Sequence, residues 1–223
     1  MRVVVTEGSA RGKVERLEPS KPQRAAARRV AESKATIPHL YMETEAAMGD
    51  ALAFAGRGSA SGDDKAPGPL EIVVRAVALA LREVPRLNGA YRDGAAEVYS
   101  RVNIGVAIPG PDGPLAPTLF DADRKSLEEI TTELRGLEAR APDGSLTAAE
   151  LAGGTFTVAW PLGEIRSFAP IIAGGQAGNL GIGGGAKRVV ATLSADARMI
   201  DPPTAAEFLD RFRAALVIPD RLA

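Results

Sequence analysis

The run from Leu70 to Val84 is apolar nearly all round, interrupted by Arg75 and closed by Arg82. A helix with that pattern must be buried on most of its surface, so the chain has to wrap other elements around it. The flanking sequence supplies them. From Ser20 to Thr36, Ala25, Ala26, Ala27, Val30 and Ala31 alternate with Arg24, Arg28, Arg29 and Glu32 at helical spacing. Pro38 then biases Ile37 towards an extended conformation, and a strand is expected from Leu40 to Glu45. Gly56 to Pro69 reads as a flexible loop. Val102 to Ile108, a Pro/Gly turn over 109–114, and Leu115 to Phe120 form a hairpin pattern. In the next helix Ser126 can cap with Glu129, and Leu127, Ile130, Leu134 and Leu137 share one face. Asp121 and Asp123 are read as charges placed near its N-terminal dipole. Thr155 to Val158 and Leu180 to Ile182 are short strands, Val189 to Leu193 leads into the segment that carries the chemistry, and Ala205 to Leu216 is an amphipathic helix. This order gives an α/β or α+β fold without the regular repetition of a barrel, and no internal repeat is visible.

Composition narrows the function. With 223 residues, 45% hydrophobic, the expectation is one globular domain over 20–223 behind an N-terminal arm, 1–19. The longest apolar run, Ala76 to Leu81, falls far short of a bilayer span, and no signal-like leader precedes it, so no membrane association is expected. The absence of cysteine excludes a disulfide framework, a thiolate metal site and a cysteine nucleophile. It is also compatible with a cytoplasmic address, and no metal is expected. A formal charge of -1 and 4% aromatic residues argue against nucleic acid.

The segment Leu193-Ser194-Ala195-Asp196-Ala197-Arg198-Met199-Ile200-Asp201 resembles the active-site strand of the catalytic domain of 2-oxoacid dehydrogenase acyltransferases, the E2 components, and of chloramphenicol acetyltransferases. There the motif reads Asp-His-Arg-x-x-Asp-Gly. Here Ala197 stands at the histidine position and Pro202 at that of the glycine. Arg28 to Tyr41, Val74 to Pro85, Asp121 to Leu127, Gly153 to Val158 and Ala206 to Leu209 continue the resemblance in family order, over residues 20–220.

The resemblance implies a two-layer α+β sandwich, chloramphenicol acetyltransferase-like, with a mixed sheet covered by helices. It also implies a homotrimer with its sites in channels between subunits. Such enzymes pass an acyl group from a thioester to a thiol or hydroxyl, with imidazole as general base; losing that base costs about two to four orders of magnitude in rate. The serine of the family's Thr-x-Thr-x-Ser-Asn motif, which stabilises the oxyanion, falls on Ala159. Thr157 is a candidate replacement if the loop, one residue longer here, has shifted; Trp160 reshapes the acceptor end. Asp201 is expected to fix the active-site strand through an arginine, and Asp196, Arg198 and His39 are counted with Trp160 as substrate-side residues. For His39, the only histidine, a packed or hydrogen-bonded role is favoured over a rescued catalytic one. Arg24, Arg28 and Lys187 are candidates to meet CoA phosphates, although a solvated helix face explains the arginines equally well. Gly181 to Lys187 lacks the ending of a phosphate loop and is read as a glycine-rich strand end or turn.

With about nineteen residues before the first helix no lipoyl or subunit-binding domain is expected, and with a tail unlike the apolar end that joins family trimers no cage is expected. The expectation is therefore a free-standing trimer with no covalently bound cofactor. It would use acyl-CoA or an acyl carrier protein thioester as donor and a small molecule as acceptor. Free-standing relatives in natural-product pathways acetylate hydroxyls, including the hydroxymethyl group of tetronate polyketides. An engineered His→Ala replacement and a natural pseudoenzyme both account for Ala197, and Pro202 points towards natural drift. Two other classes stay open: a cyclase-type enzyme reusing the channel, and a non-catalytic binding or assembly protein.

Overall fold

The computed structural model describes residues 2–9, 12–56, 66–160 and 165–222. The middle of the loop expected over 56–69, and residues 161–164 of the loop expected to be one residue longer, lie outside the described residues. Strands β1 (Arg2–Ser9) and β2 (Gly12–Glu18) pair with each other as an antiparallel hairpin. Helix α1 (Lys21–Thr36) starts at Ser20, whose hydroxyl accepts from the Gln23 amide while the Gln23 side chain accepts from the Ser20 amide. Only Ser33 of this helix is buried.

The body is a six-stranded mixed sheet. Its strands are β3 (His39–Ala47), β6 (Ile104–Ala107), β7 (Thr118–Leu119), β8 (Phe156–Ala159), β9 (Gly178–Gly185) and β10 (Arg188–Asp196), arranged as β3-β10-β9-β8-β6-β7. Pairing is antiparallel from β3 to β9, parallel across β9-β8-β6, and antiparallel again to β7. One face carries Leu193, Leu180, Phe156, Val158, Ile104 and Val106, all buried. Helices α3 (Pro69–Glu83), α4 (Leu127–Arg140) and α5 (Pro202–Val217) cover that face. Phe156 of β8 meets Phe208 of α5 with ring centroids 5.6 Å apart. Each such buried aromatic contributes about 1.5–3 kcal/mol. Ten of the fifteen residues of α3 are buried, as its apolar circumference requires. The result is the two-layer α/β architecture expected from the sequence.

Three local expectations change. Asp121 does not serve the α4 terminus: it sits in a left-handed conformation (φ 50°) and is paired bidentately with Arg101 at 2.8 and 2.5 Å. A short helix α2 (Gly49–Ala55) follows β3. A second hairpin, β4 (Gly89–Arg92) with β5 (Ala95–Val98), turns at Asp93-Gly94, both at positive φ. That dipeptide, with both residues in the left-handed region, is what a tight two-residue hairpin turn requires.

Candidate functional site

The opposite face of the sheet is small and polar. In register across it stand Tyr41, Ser194, Asn179, Thr157 and Gly105, and one row along Glu43, Thr192, Gly181, Ala159 and Ala107. The Thr192 hydroxyl donates to Glu43 at 3.0 Å. Residues 165–177 cross this face and lie on β9 at Gly181 and Gly183, where no side chain fits. A Cβ on Gly183 would stand 2.3 Å from the Arg166 carbonyl oxygen, and one on Gly181 2.5 Å from that of Phe168. The Gly184 amide donates to Ile165 O at 2.8 Å, and the Asn179 side-chain amide to Ile171 O at 3.0 Å. The glycines of 181–187 thus make a strand and its turn beneath a crossing segment.

A cavity of about 790 Å³ opens between this face, α1 and the crossing segment. Thr157, Gln176, Tyr91, Arg29, Glu32 and Arg198 give it a polar wall, with backbone exposed at Gly105, Gly153, Gly154, Gly174 and Gly175. Thr157 donates its hydroxyl to Gln176 Oε1 at 2.8 Å, and Gln176 Nε2 donates to Gly154 O at 3.0 Å. The proton that an oxyanion would need from Thr157 is therefore committed. Ala159, two residues on, lines a second cavity of about 470 Å³ together with Trp160 and Phe168.

The turn after β10 places Ala197, which is exposed. Its amide donates to Pro38 O at 2.9 Å, continuing the ladder in which Asp196 faces His39. On either side of Ala197 the backbone is locked. The Asp196 side chain is 1% exposed and accepts from the Arg198 amide at 3.0 Å, from Nε at 2.9 Å and from Nη2 at 2.6 Å. These bonds raise the Arg198 guanidinium above its ordinary pKa. The same guanidinium stacks 4.5 Å over the Tyr91 ring. Asp196 and Arg198 therefore hold each other and the turn, and only Arg198 also borders the larger cavity.

His39 is engaged at both ring nitrogens. Nδ1 lies 2.8 Å from Ile37 O and Nε2 accepts from the Ile172 amide at 3.2 Å, an arrangement in which Nδ1 is the donor. It fastens the crossing segment to β3 and is not in the cavity lining, which corrects its placement on the substrate side. Asp201 reaches the segment after β10 through an arginine, as expected: Arg86 lies 3.9 Å from its carboxylate and donates Nη2 to Met199 O at 2.6 Å. It also caps α5, accepting from the Thr204 amide at 2.8 Å. Hydrogen bonding to Thr204, with Arg86 nearby, lowers its pKa. Lys187 occupies the turn at the other end of β10, a nine-residue strand of about 30 Å, far from Ala197 within the chain. Arg24 donates to Pro19 O at 2.5 Å and Arg28 is exposed; of that cluster only Arg29 borders the larger cavity. Gln176 and Tyr91 were not anticipated. Their roles depend on a crossing segment and a hairpin that no periodicity announces. Among the described residues no group of histidine and acidic side chains could hold a metal ion, and no helix is long and apolar enough to cross a membrane.

The comparisons agree with this geometry. The dihydrolipoyllysine-residue acetyltransferase component of the pyruvate dehydrogenase complex from Rickettsia bellii is 34% identical over 211 residues, covering 86% of this chain. This chain spans about half the length of the curated relatives it matches, 50% in that case. A crystal structure of the Azotobacter vinelandii dihydrolipoamide acetyltransferase superposes with a TM-score of 0.87 at 26% identity and covers 98% of each chain. That structure was determined in work on the catalytic roles of a serine, a histidine and an asparagine. A chloramphenicol acetyltransferase, 14% identical with a TM-score of 0.53 over 88% of this chain and 94% of its own, shares the fold. Residues 11–223 match the family described as 2-oxoacid dehydrogenases acyltransferase (catalytic domain), and the chain belongs to that family.

Proposed function

We propose that this chain is an acyltransferase scaffold that binds an acyl thioester, from acyl-CoA or a carrier protein, and a small-molecule hydroxyl acceptor, but lacks the general base. The observation that carries the reading is the turn at Ala197. The Asp196–Arg198 pair keeps its backbone in place, and between them a methyl group points to solvent where the family resemblance puts an imidazole. Without the base, the acceptor's proton has no receiver as it attacks the thioester carbonyl, and transfer is slowed by about 10²–10⁴. Neither residue considered for the oxyanion offers it a free donor: Ala159 has none, and the Thr157 hydroxyl donates to Gln176 Oε1.

A homotrimer completes the account. Helix α1 buries a single residue within the chain, and Val30, Tyr41, Leu17 and Val14 are exposed large side chains on α1, β3 and β2. Such surfaces fit an assembly in which a neighbour covers them. The polyketide or tetronate hydroxyl remains our preferred acceptor, and the cytoplasm the preferred compartment. Calorimetric titration with acetyl-CoA, alongside sedimentation, tests the reading. Donor binding to a trimer with turnover close to background is expected. A chain that sediments as a monomer and takes up no donor would remove the basis for the proposal.

A further inference from the structure

The two cavities differ sharply in chemistry and adjoin each other. Thr157 faces the larger one and Ala159 the smaller, from the same face of β8 and about 7 Å apart along the strand. Pro114, at the tip of the hairpin closed by the Ile108–Leu115 bridge, lines both. The smaller cavity is walled by Ile108, Pro109, Pro114, Ala159, Trp160 and Phe168, with Ala107 and two glycines. No described residue lining it carries a charge. The larger holds Arg29, Glu32, Arg198, Thr157 and Gln176.

From this juxtaposition we propose that the pair of cavities binds an amphiphile, with an uncharged hydrocarbon chain between Trp160 and Phe168 and a polar end beside Thr157. At about 470 Å³ the apolar half is of the size that takes a small organic ligand. Charge sets the orientation: a charged end placed against Trp160 and Phe168 would lose its water with no partner, whereas the larger cavity offers partners of both signs. The proposal takes its location from the acyl-transfer reading and identifies the class of group that the site accepts. It does not require turnover, so the two can fail separately.

The hydrocarbon could belong to the acyl donor or to the acceptor, and the assay separates them. Trp160 is the only tryptophan of the chain, so its emission reports on this wall alone. Hexanol, octanol and decanol are titrated against it, with calorimetry as a second readout. A saturable change is expected, with affinity rising about fourfold per added methylene until the cavity is full. Ala159→Leu, which fills the cavity, should weaken decanol at least tenfold. Phe168→Ala, which keeps the reporter, should weaken it several-fold. If decanoyl-CoA binds more tightly than acetyl-CoA by a similar chain-length factor, the chain is the donor's; if the two bind alike while decanol saturates, it is the acceptor's. No saturable signal and no heat with any alcohol, or binding indifferent to both substitutions, overturns the proposal, whatever the transfer assays show.

Discussion

Replacing Arg198 with methionine and, separately, Asp196 with asparagine should have unequal costs, and the asymmetry follows from burial. The Asp196 side chain is 1% exposed, that of Arg198 32%. In Arg198→Met the carboxylate stays buried and keeps one donor, the backbone amide of residue 198 at 3.0 Å. Breaking a fully buried pair in this way costs about 3–5 kcal/mol. Because one partner here already reaches water, about 2–3 kcal/mol is expected, including the lost stacking on Tyr91. In Asp196→Asn the amide oxygen can still accept from the residue 198 backbone, and the guanidinium can turn to solvent, so about 1 kcal/mol is lost. Urea unfolding of the three proteins, extrapolated linearly with a shared slope, measures the difference. Equal costs, or a greater cost for Asp196→Asn, would refute the view that a buried carboxylate held by Arg198 locks the turn.

Other substitutions probe the frame around the site. Gly136 lies in the exposed middle of α4 with no atom within 4 Å of an added Cβ, so Gly136→Ala should stabilise by about 0.5–1 kcal/mol in thermal melts. Gly183→Ala should cost about 1–3 kcal/mol and speed proteolysis within 165–177, since its methyl would strike the Arg166 carbonyl; an unchanged digestion pattern would contradict the crossing. Asp201→Ala should lose about 1 kcal/mol as a helix cap, readable as a lower melting temperature, while leaving donor binding intact. Glu150 is held down to about 2 by Arg140 and by Thr147. Because its folded pKa lies below the ordinary 4.5, its contribution is present above 4.5 and disappears as pH falls towards 2. The stability gap between the native chain and Glu150→Gln should therefore be constant near neutrality and close across that acid range.

What could be read in advance was whatever repeats along the chain. The apolar circumference of α3 and the Leu127, Ile130, Leu134 and Leu137 face of α4, with its Ser126–Glu129 cap, follow from local periodicity, and the structure has them. Asp196 and Arg198 could be located by their spacing around Ala197, but not the depth at which the carboxylate sits, which depends on β9 and the chain end of β3. Asp201 was readable as a carboxylate that holds the turn through an arginine, but its second role, the α5 cap, depends on the backbone direction after Ile200. For His39 the hydrogen-bonded role favoured from its place after Pro38 is the one the structure gives it, although its partners, Ile37 O and the Ile172 amide, were not readable. The cavities were hidden because their walls come from α1, a hairpin tip, β8 and the 165–177 crossing, segments with no pattern in common.

The central claim is that Ala197 marks an acyl-transfer site without its base. Ala197→His, assayed beside the native chain for acyl-CoA hydrolysis and transfer to hydroxyl acceptors, tests it directly, with acetyl-CoA binding followed in both. The account predicts equal donor binding and a rate about 10²–10⁴ higher in the histidine variant. If both proteins bind the donor and neither gains turnover, position 197 is not where the base belongs.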